Sequence, residues 1–481
     1  MESFRHDVPD YDVVPGTVYL VQGAHQNGFT SRDIILMPTP SSDPRDPLRW
    51  SRWRKTYHLL LLVLYSSTLG AITNGDSVVY LNLVQIYHTG INKLNYAGAV
   101  MLLLLGVGNV FFVPLSNKIW MAVSKQYGEY WGVNILRGLG SASFEALPAI
   151  TISDIYFAHE RGGKLGAYVF GLAFGSFVGP VCGGYMVTGQ GVRWMYWWGV
   201  IIVGALLVLF FFTLEETHFI RPLDMHDEAL VSTMDMPELD KTPTTKSTSK
   251  EADDLSVHQH PEAIVGECGL NYGTCVSWLA VMGTTVALIF SPPPYLFSNS
   301  DVGLVWFSPL IGSLIGAYFS GPLNDRLTVY LSNRNRGWRE PEYRLWAFIP
   351  SAIIMPGGLI IYGATAAHGL HWIAPVFGMG LVGFGLSVGG TVTMSYILDS
   401  YKEIDTQVIT TIILLRNIIG FGISFGIQSW IDGMGLQNTF IFVGCLSFAV
   451  TMFAVFFIVF GKRMRRRTTT RYQHLMKTKA M

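Results

Sequence analysis

Apolar runs long enough to cross a bilayer alternate with short polar connectors along most of the chain. A membrane helix needs roughly 20 mainly apolar residues. By that measure spans are predicted near 57–79, 96–119, 131–156, 163–188, 194–214, 269–290, 302–323, 345–366, 372–397, 407–429 and 438–460. Five lie before the polar stretch Glu215–Gly266 and six after it. The pattern predicts an all-α polytopic membrane protein of about eleven transmembrane helices in two bundles.

The polar segments set the boundaries. Residues 1–48 form a tail rich in Pro and Asp, 49–214 the five-span N-terminal bundle, 215–268 a central loop, 269–461 the six-span C-terminal bundle and 462–481 a basic tail. The central loop carries the Ser/Thr/Lys/Asp-rich run 242–254 and little that could build a core, so it is expected to be cytosolic and disordered. The start has no apolar h-region, so the first span is expected to direct insertion. Trp50, Trp53 and Tyr57 before the first span, and Trp194, Tyr196, Trp197 and Trp198 at the fifth, are placed as interfacial anchors.

Composition agrees. Half the residues are hydrophobic, 14% are charged and mean hydropathy is +0.35, too little charge to cover a soluble protein of this length. Apolar runs separate the basic clusters, which argues against nucleic acid as a partner. Cys182, Cys268, Cys275 and Cys445 form no CxxC, so neither a disulfide framework nor a metal site is expected. HExxH and other nucleophile–base arrangements are missing, which argues against an enzyme. No cofactor is expected; the partners are the lipid bilayer and a small-molecule substrate, and the chain should be monomeric.

Lys and Arg favour the cytoplasmic side of short loops. Arg49–Lys55, Arg161/Lys164, Arg326–Arg344 and Lys462–Arg467 should therefore all lie inside, with both termini. From Arg161 onward the eight spans satisfy this. Between Lys55 and Arg161 there are three, an odd number. Either 131–156 is re-entrant, or the Arg161/Lys164 signal misleads, or one helix is absent.

An internal repeat bears on the choice. Pro114-Leu-Ser-Asn-Lys118-Ile and Pro322-Leu-Asn-Asp325-Arg326-Leu stand at corresponding places in the two halves, as in transporters built from related bundles. A basic loop and a full span follow the second copy; only the connector Trp120–Tyr130 follows the first. The gap falls between Ile119 and Trp131.

Polar residues inside spans are costly and usually face a cavity or a partner. Asn134, Arg137, Ser141 and Glu145 share one face of the third span. Arg416-Asn417 sits mid-span in the tenth, with Gly420, Ser424 and Gln428 on a similar face. Asp76 lies towards the outer end of the first span, either interfacial or part of the site. Gly171, Gly175, Gly179 and Gly183 recur every four residues with Pro180 and Gly184, a row that permits close helix approach.

On these motifs the chain resembles a fungal-type major facilitator of the drug–proton antiporter class, from Asp46-Pro-Leu-Arg-Trp50 to Gly461-Lys-Arg463. The resemblance implies twelve helices, a proton gradient as driving force and, from Gly175-x3-Gly179-Pro180-x2-Gly183-Gly184, export rather than uptake, although related importers carry versions of that motif. It makes Asp325 and Arg326 a cytoplasmic gate latch and Arg137, in Arg137-Gly-Leu-Gly140, a residue of proton coupling. Asp76, Asn134, Arg137, Glu145, Arg416 and Asn417 become the candidate substrate and proton pathway, and the plasma membrane the expected location. The chain departs where the family continues its first loop signature into Gly-Arg-Arg and a third helix. A transport-inactive or sensor-like relative is the alternative that this departure raises.

Overall fold

The computed structural model describes residues 46–107, 127–141, 151–213 apart from 153 and 157, 262–335, 338–400 and 405–480, with a few isolated positions besides. Nearly all of them are helical. The first part runs α1 (Arg52–Asn74), a 3-10 turn (Gly75–Val78), α2 (Tyr80–Tyr87), α3 (Ile91–Val107), α4 (Tyr127–Ser141), α5 (Ala158–Gln190) and α6 (Val192–Thr213). The second runs α7 (Glu262–Phe290), α8 (Asn299–Val305), α9 (Phe307–Tyr318), a π turn (Phe319–Leu323), α10 (Asn324–Arg334), α11 (Phe348–Ala367), α12 (Ile373–Ser400) and α13 (Asp405–Ala480). Among the described residues, eight candidate spans are long and apolar enough to cross a membrane; one, Val408–Arg465, holds two helices joined across Gly435, and Ile91–Leu105 is a shorter apolar helix.

Local chemistry explains the boundaries. Ser51 caps α1, its hydroxyl accepting from the Arg54 amide at 3.3 Å. Ser298 and Asp301 form a reciprocal capping box on α8. Gly435, with φ of +79°, takes a conformation costly for other residues and turns the chain between the last two spans.

Several boundaries differ from those expected. The helix expected to open at 269 begins at Glu262, directly after Pro261, a residue suited to a helix start. The helix expected to end near 460 continues to Ala480, because no breaker follows the basic run. Tyr196 and Trp50 are buried rather than interfacial, whereas Trp53 and Trp194 are exposed. Val18–Tyr19 and Trp338–Arg339 form a short antiparallel pair, which a two-residue strand in a polar tail does not announce. The disorder expected of the central loop falls, at 218–261, outside the described residues.

The paths of α3 and α4 bear on the odd crossing. Tyr127, opening α4, donates its hydroxyl to the Lys93 carbonyl near the start of α3 at 2.9 Å. Further along, Gly138 meets Met101 and Leu105. The two helices therefore run parallel, and the chain returns from one face to the other within the 19 positions 108–126.

The second half shows what usually fills that place. There α9 and α12 also run parallel, Ser308 against Gly380 and Gly316 against Phe384. The returning helix α11 lies against α12 and against the last span of α13, with Gly363 meeting Phe440 and Gly444 meeting Ile360. It buries Phe348, Met355, Leu359 and Tyr362. In the first half α6 takes the position of the last span, yet only Tyr196 and Gly199 of it are buried. Phe211 and Phe212 are 82% and 78% exposed. No described element covers that flank.

Candidate functional site

Asp76 stands on the 3-10 turn that ends α1. Where an α-helix tightens into such a turn its last carbonyls lose their usual donors. Arg137, reaching across from α4, supplies them: one terminal nitrogen donates to the carbonyls of Ile72 and Thr73 at 2.7 and 2.8 Å. Its other terminal nitrogen pairs with one Asp76 carboxylate oxygen, Oδ2. The guanidinium thus sits at the negative end of a helix dipole and on a carboxylate together. Asp76 Oδ1 is buried with no hydrogen-bond partner.

Around this pair lie two small cavities at the junction of the halves. One, about 90 Å³, is lined by Asp76, Asn134, Arg137, Asn95, Tyr80 and Ser424. The other, about 100 Å³, is bordered by Tyr272, Ser387, Arg416 and Asn417. Both share Thr73, Asn74, Met101, Leu102 and Ala280 as walls, so the two polar stripes read in the sequence meet around the end of α1. Asn134 is held by its own helix, its amide donating to the Tyr130 carbonyl at 2.9 Å. Arg416 donates to the Tyr272 hydroxyl at 3.2 Å and to Asn417 at 3.3 Å, and its guanidinium lies 5.0 Å above the Tyr272 ring. Glu145, expected on the same face as Arg137, and the first-half loop repeat Pro114–Ile119 lie outside the described residues.

A third cavity, about 350 Å³ and largely apolar, opens between α1, α5 and α6 on the other side of the same ion pair; Leu64, Phe174, Met195 and Trp198 line it. Asp76 and Arg137 border this space as well as the central one, so the pair stands as a partition between them.

The glycine row of α5 faces α1. A side chain on Gly175 or Gly179 would overlap the backbone of Ser67 or Ala71, and the Ser67 hydroxyl donates to the Gly171 carbonyl at 2.7 Å. Gly183 lies against Gly75, while Gly184 and Pro180 reach the second half at Asn299 and Gly303. Ser300 donates to Thr188 at 2.7 Å beside them. The motif therefore both seats α5 on α1 and joins the halves at the face opposite the basic clusters.

At the basic face the expected latch partners rearrange. Asp325 accepts from Arg344 at 3.0 Å, and Arg344 also donates to Asp399 at 2.6 Å, while Arg326 is exposed. Asn324 donates to the Arg344 carbonyl at 3.0 Å. Nearby, Arg465 and Glu342 form a pair with both side chains almost wholly buried, and Lys462 pairs with Glu340. Sequence reasoning missed these. The signal was Glu340 and Glu342 among the loop cations, and Lys462 and Arg465 one helical turn apart.

The model of the Major Facilitator Superfamily matches residues 99–408. The chain belongs to that superfamily. It is an integral membrane transporter and not an enzyme. An MFS-type transporter of Schizosaccharomyces pombe is 28% identical over 547 aligned positions, covering 95% of this chain and 94% of the relative. Protein HOL1 of Saccharomyces cerevisiae is 26% identical, with 96% of each chain covered. The 547 aligned positions exceed the 481 residues present, so at least 66 of them stand opposite gaps in this chain. Among solved structures, an auto-inhibited peptide transporter of the POT family (TM-score 0.55, 13% identity, 83% of this chain and 96% of that one) shares the fold. So does the human organic anion transporter MFSD10 (TM-score 0.52, 13% identity, 84% and 100%).

Proposed function

We propose that this major facilitator is a proton-coupled secondary transporter of a small organic molecule, working by rocking of the two bundles about the shared walls of the central cavities. The observation that carries the reading is the Asp76–Arg137 pair. A proton on Asp76 would free Arg137 from its carboxylate but leave it on the Ile72 and Thr73 carbonyls, a discrete switch at the cavity wall. Arg416 and Asn417 complete the cavity from the other half. The α5 glycine motif favours export.

The basic face is read as cytoplasmic, which puts both termini inside, and the plasma membrane is the proposed location. Arg344, held between Asp325 and Asp399, is read as the latch on that side. The test is flux in proteoliposomes holding the purified chain, with an imposed pH gradient and a panel of organic cations and anions. Gradient-driven movement of at least one compound supports the reading; movement that ignores the gradient for every transported compound defeats it.

A second reading rests on the flank of α6 that no described element covers. The first half lacks a third helix, and the chain as it stands transports poorly or not at all. Flux measured before and after a helix of about 20 apolar residues, led by Gly-Arg-Arg, is inserted between Ile119 and Trp120 separates the two.

A further inference from the structure

One buried carboxyl lies outside the site described above. Glu267, in the second turn of α7 at the basic face, is 6% exposed. Its Oε2 lies 3.5 Å from the Cys268 thiol, and its Oε1 has no partner. Four residues on, the Asn271 amide nitrogen is also buried and unpartnered, and Cys275 follows at the same interval. This stripe faces α12 where Gly389 leaves room: a Cβ there would stand 2.6 Å from the Cys275 sulfur and 4.0 Å from Asn271 Oδ1. One turn further along α12 towards the basic face, Thr393 is buried with its hydroxyl unpartnered. Three orphaned polar groups thus occupy one α7–α12 seam.

Other titratable groups here are committed elsewhere. On α12, Asp399 is bound to Arg344, and the Tyr396 hydroxyl lies at Gly461. On α13, Val408, Ile409, Ile412 and Ile413 are buried in the same apolar cluster as Cys268, and Arg416 is further in, over Tyr272. Among the described residues, then, no cation compensates Glu267. A buried carboxylate without a cation is costly, whereas a proton together with a water bridging Glu267, Asn271 and Thr393 would satisfy all three groups.

We infer that Glu267 is a second proton-binding carboxyl, on the second bundle, filled from the basic face and connected through Asn271 towards the Tyr272–Arg416 end of the central cavity. It deepens the proton-coupled reading and rests on it for its role in transport, but proton binding itself can be read without transport.

The test is infrared difference spectroscopy of the full-length protein in lipid as bath pH is stepped. The wild type should show a pH-dependent protonated-carboxyl band that is lost in Glu267→Gln and kept in Asp76→Asn. Should Glu267→Gln fail to accumulate, Glu267→Asp should shift that band. A band unchanged in either Glu267 variant overturns the proposal. Flux in the same preparations is scored separately: wild-type flux indifferent to the gradient removes the transport reading, while the spectrum still decides whether Glu267 binds the proton.

Discussion

Arg137 on α4 and Asp76 on the turn after α1 form an ion pair whose arginine also caps the open end of α1. One guanidinium thereby fixes the geometry of two helices and marks the wall between a polar central cavity and an apolar lateral one. Losing the carboxylate and losing the arginine should therefore have different consequences.

Asp76→Asn keeps the volume and leaves Arg137 its two carbonyls. It should fold and reach the membrane in near-normal amount, yet lose at least about tenfold in gradient-driven flux, which corresponds to about 1.4 kcal/mol or more. Arg137→Ala leaves both a buried carboxylate and two helix-end carbonyls unsatisfied. Breaking a buried pair costs about 3–5 kcal/mol, so this variant should lose folded protein as well. Thermal unfolding beside flux separates the two; equal unfolding temperatures for both variants would contradict the double role of Arg137.

Gly179→Leu should act through packing. Its side chain would enter the Ala71 backbone, and overpacking of this kind costs about 1–3 kcal/mol. Reduced detergent stability with a loosened α1–α5 contact, measured by cysteine cross-linking, is expected; full stability would mean the close approach is not needed.

At the basic face, Arg344→Gln should impair transport far more than Arg326→Gln. Arg344 bridges Asp325 and Asp399, and Arg326 is exposed. Surface cations contribute about 0–1 kcal/mol, so the Arg326 variant should remain within twofold of wild type. Comparable losses from both would return the latch to Arg326.

Most of the architecture was legible because long apolar runs leave few alternatives, and so was the close packing of α5 on α1, because glycine at every fourth position implies a close neighbour. The pairing of Asp76 with Arg137 was not legible. Asp76 read equally well as interfacial or as part of the site, and no local spacing joins it to Arg137, because the bond forms between helices 61 residues apart in sequence. The Arg344 partner of Asp325 was not legible either, because the two stand 19 residues apart on different elements.

The α6 flank that no described element covers carries its own expectation. Inserting an apolar helix between Ile119 and Trp120 should raise the unfolding temperature and reduce labelling of a cysteine placed at Ile202, which borders the lateral cavity. No change in either would mean that the flank is an ordinary lipid-facing surface.

The central claim is that proton movement through the Asp76–Arg137 pair drives transport. It is tested most directly by proteoliposomes of wild type and Asp76→Asn, loaded with a compound the wild type moves, under opposed and equalised pH. Wild-type flux should follow the gradient and reverse with it, while Asp76→Asn should exchange the compound across equal concentrations but ignore the gradient. Gradient-following flux in Asp76→Asn equal to that of wild type would contradict the account.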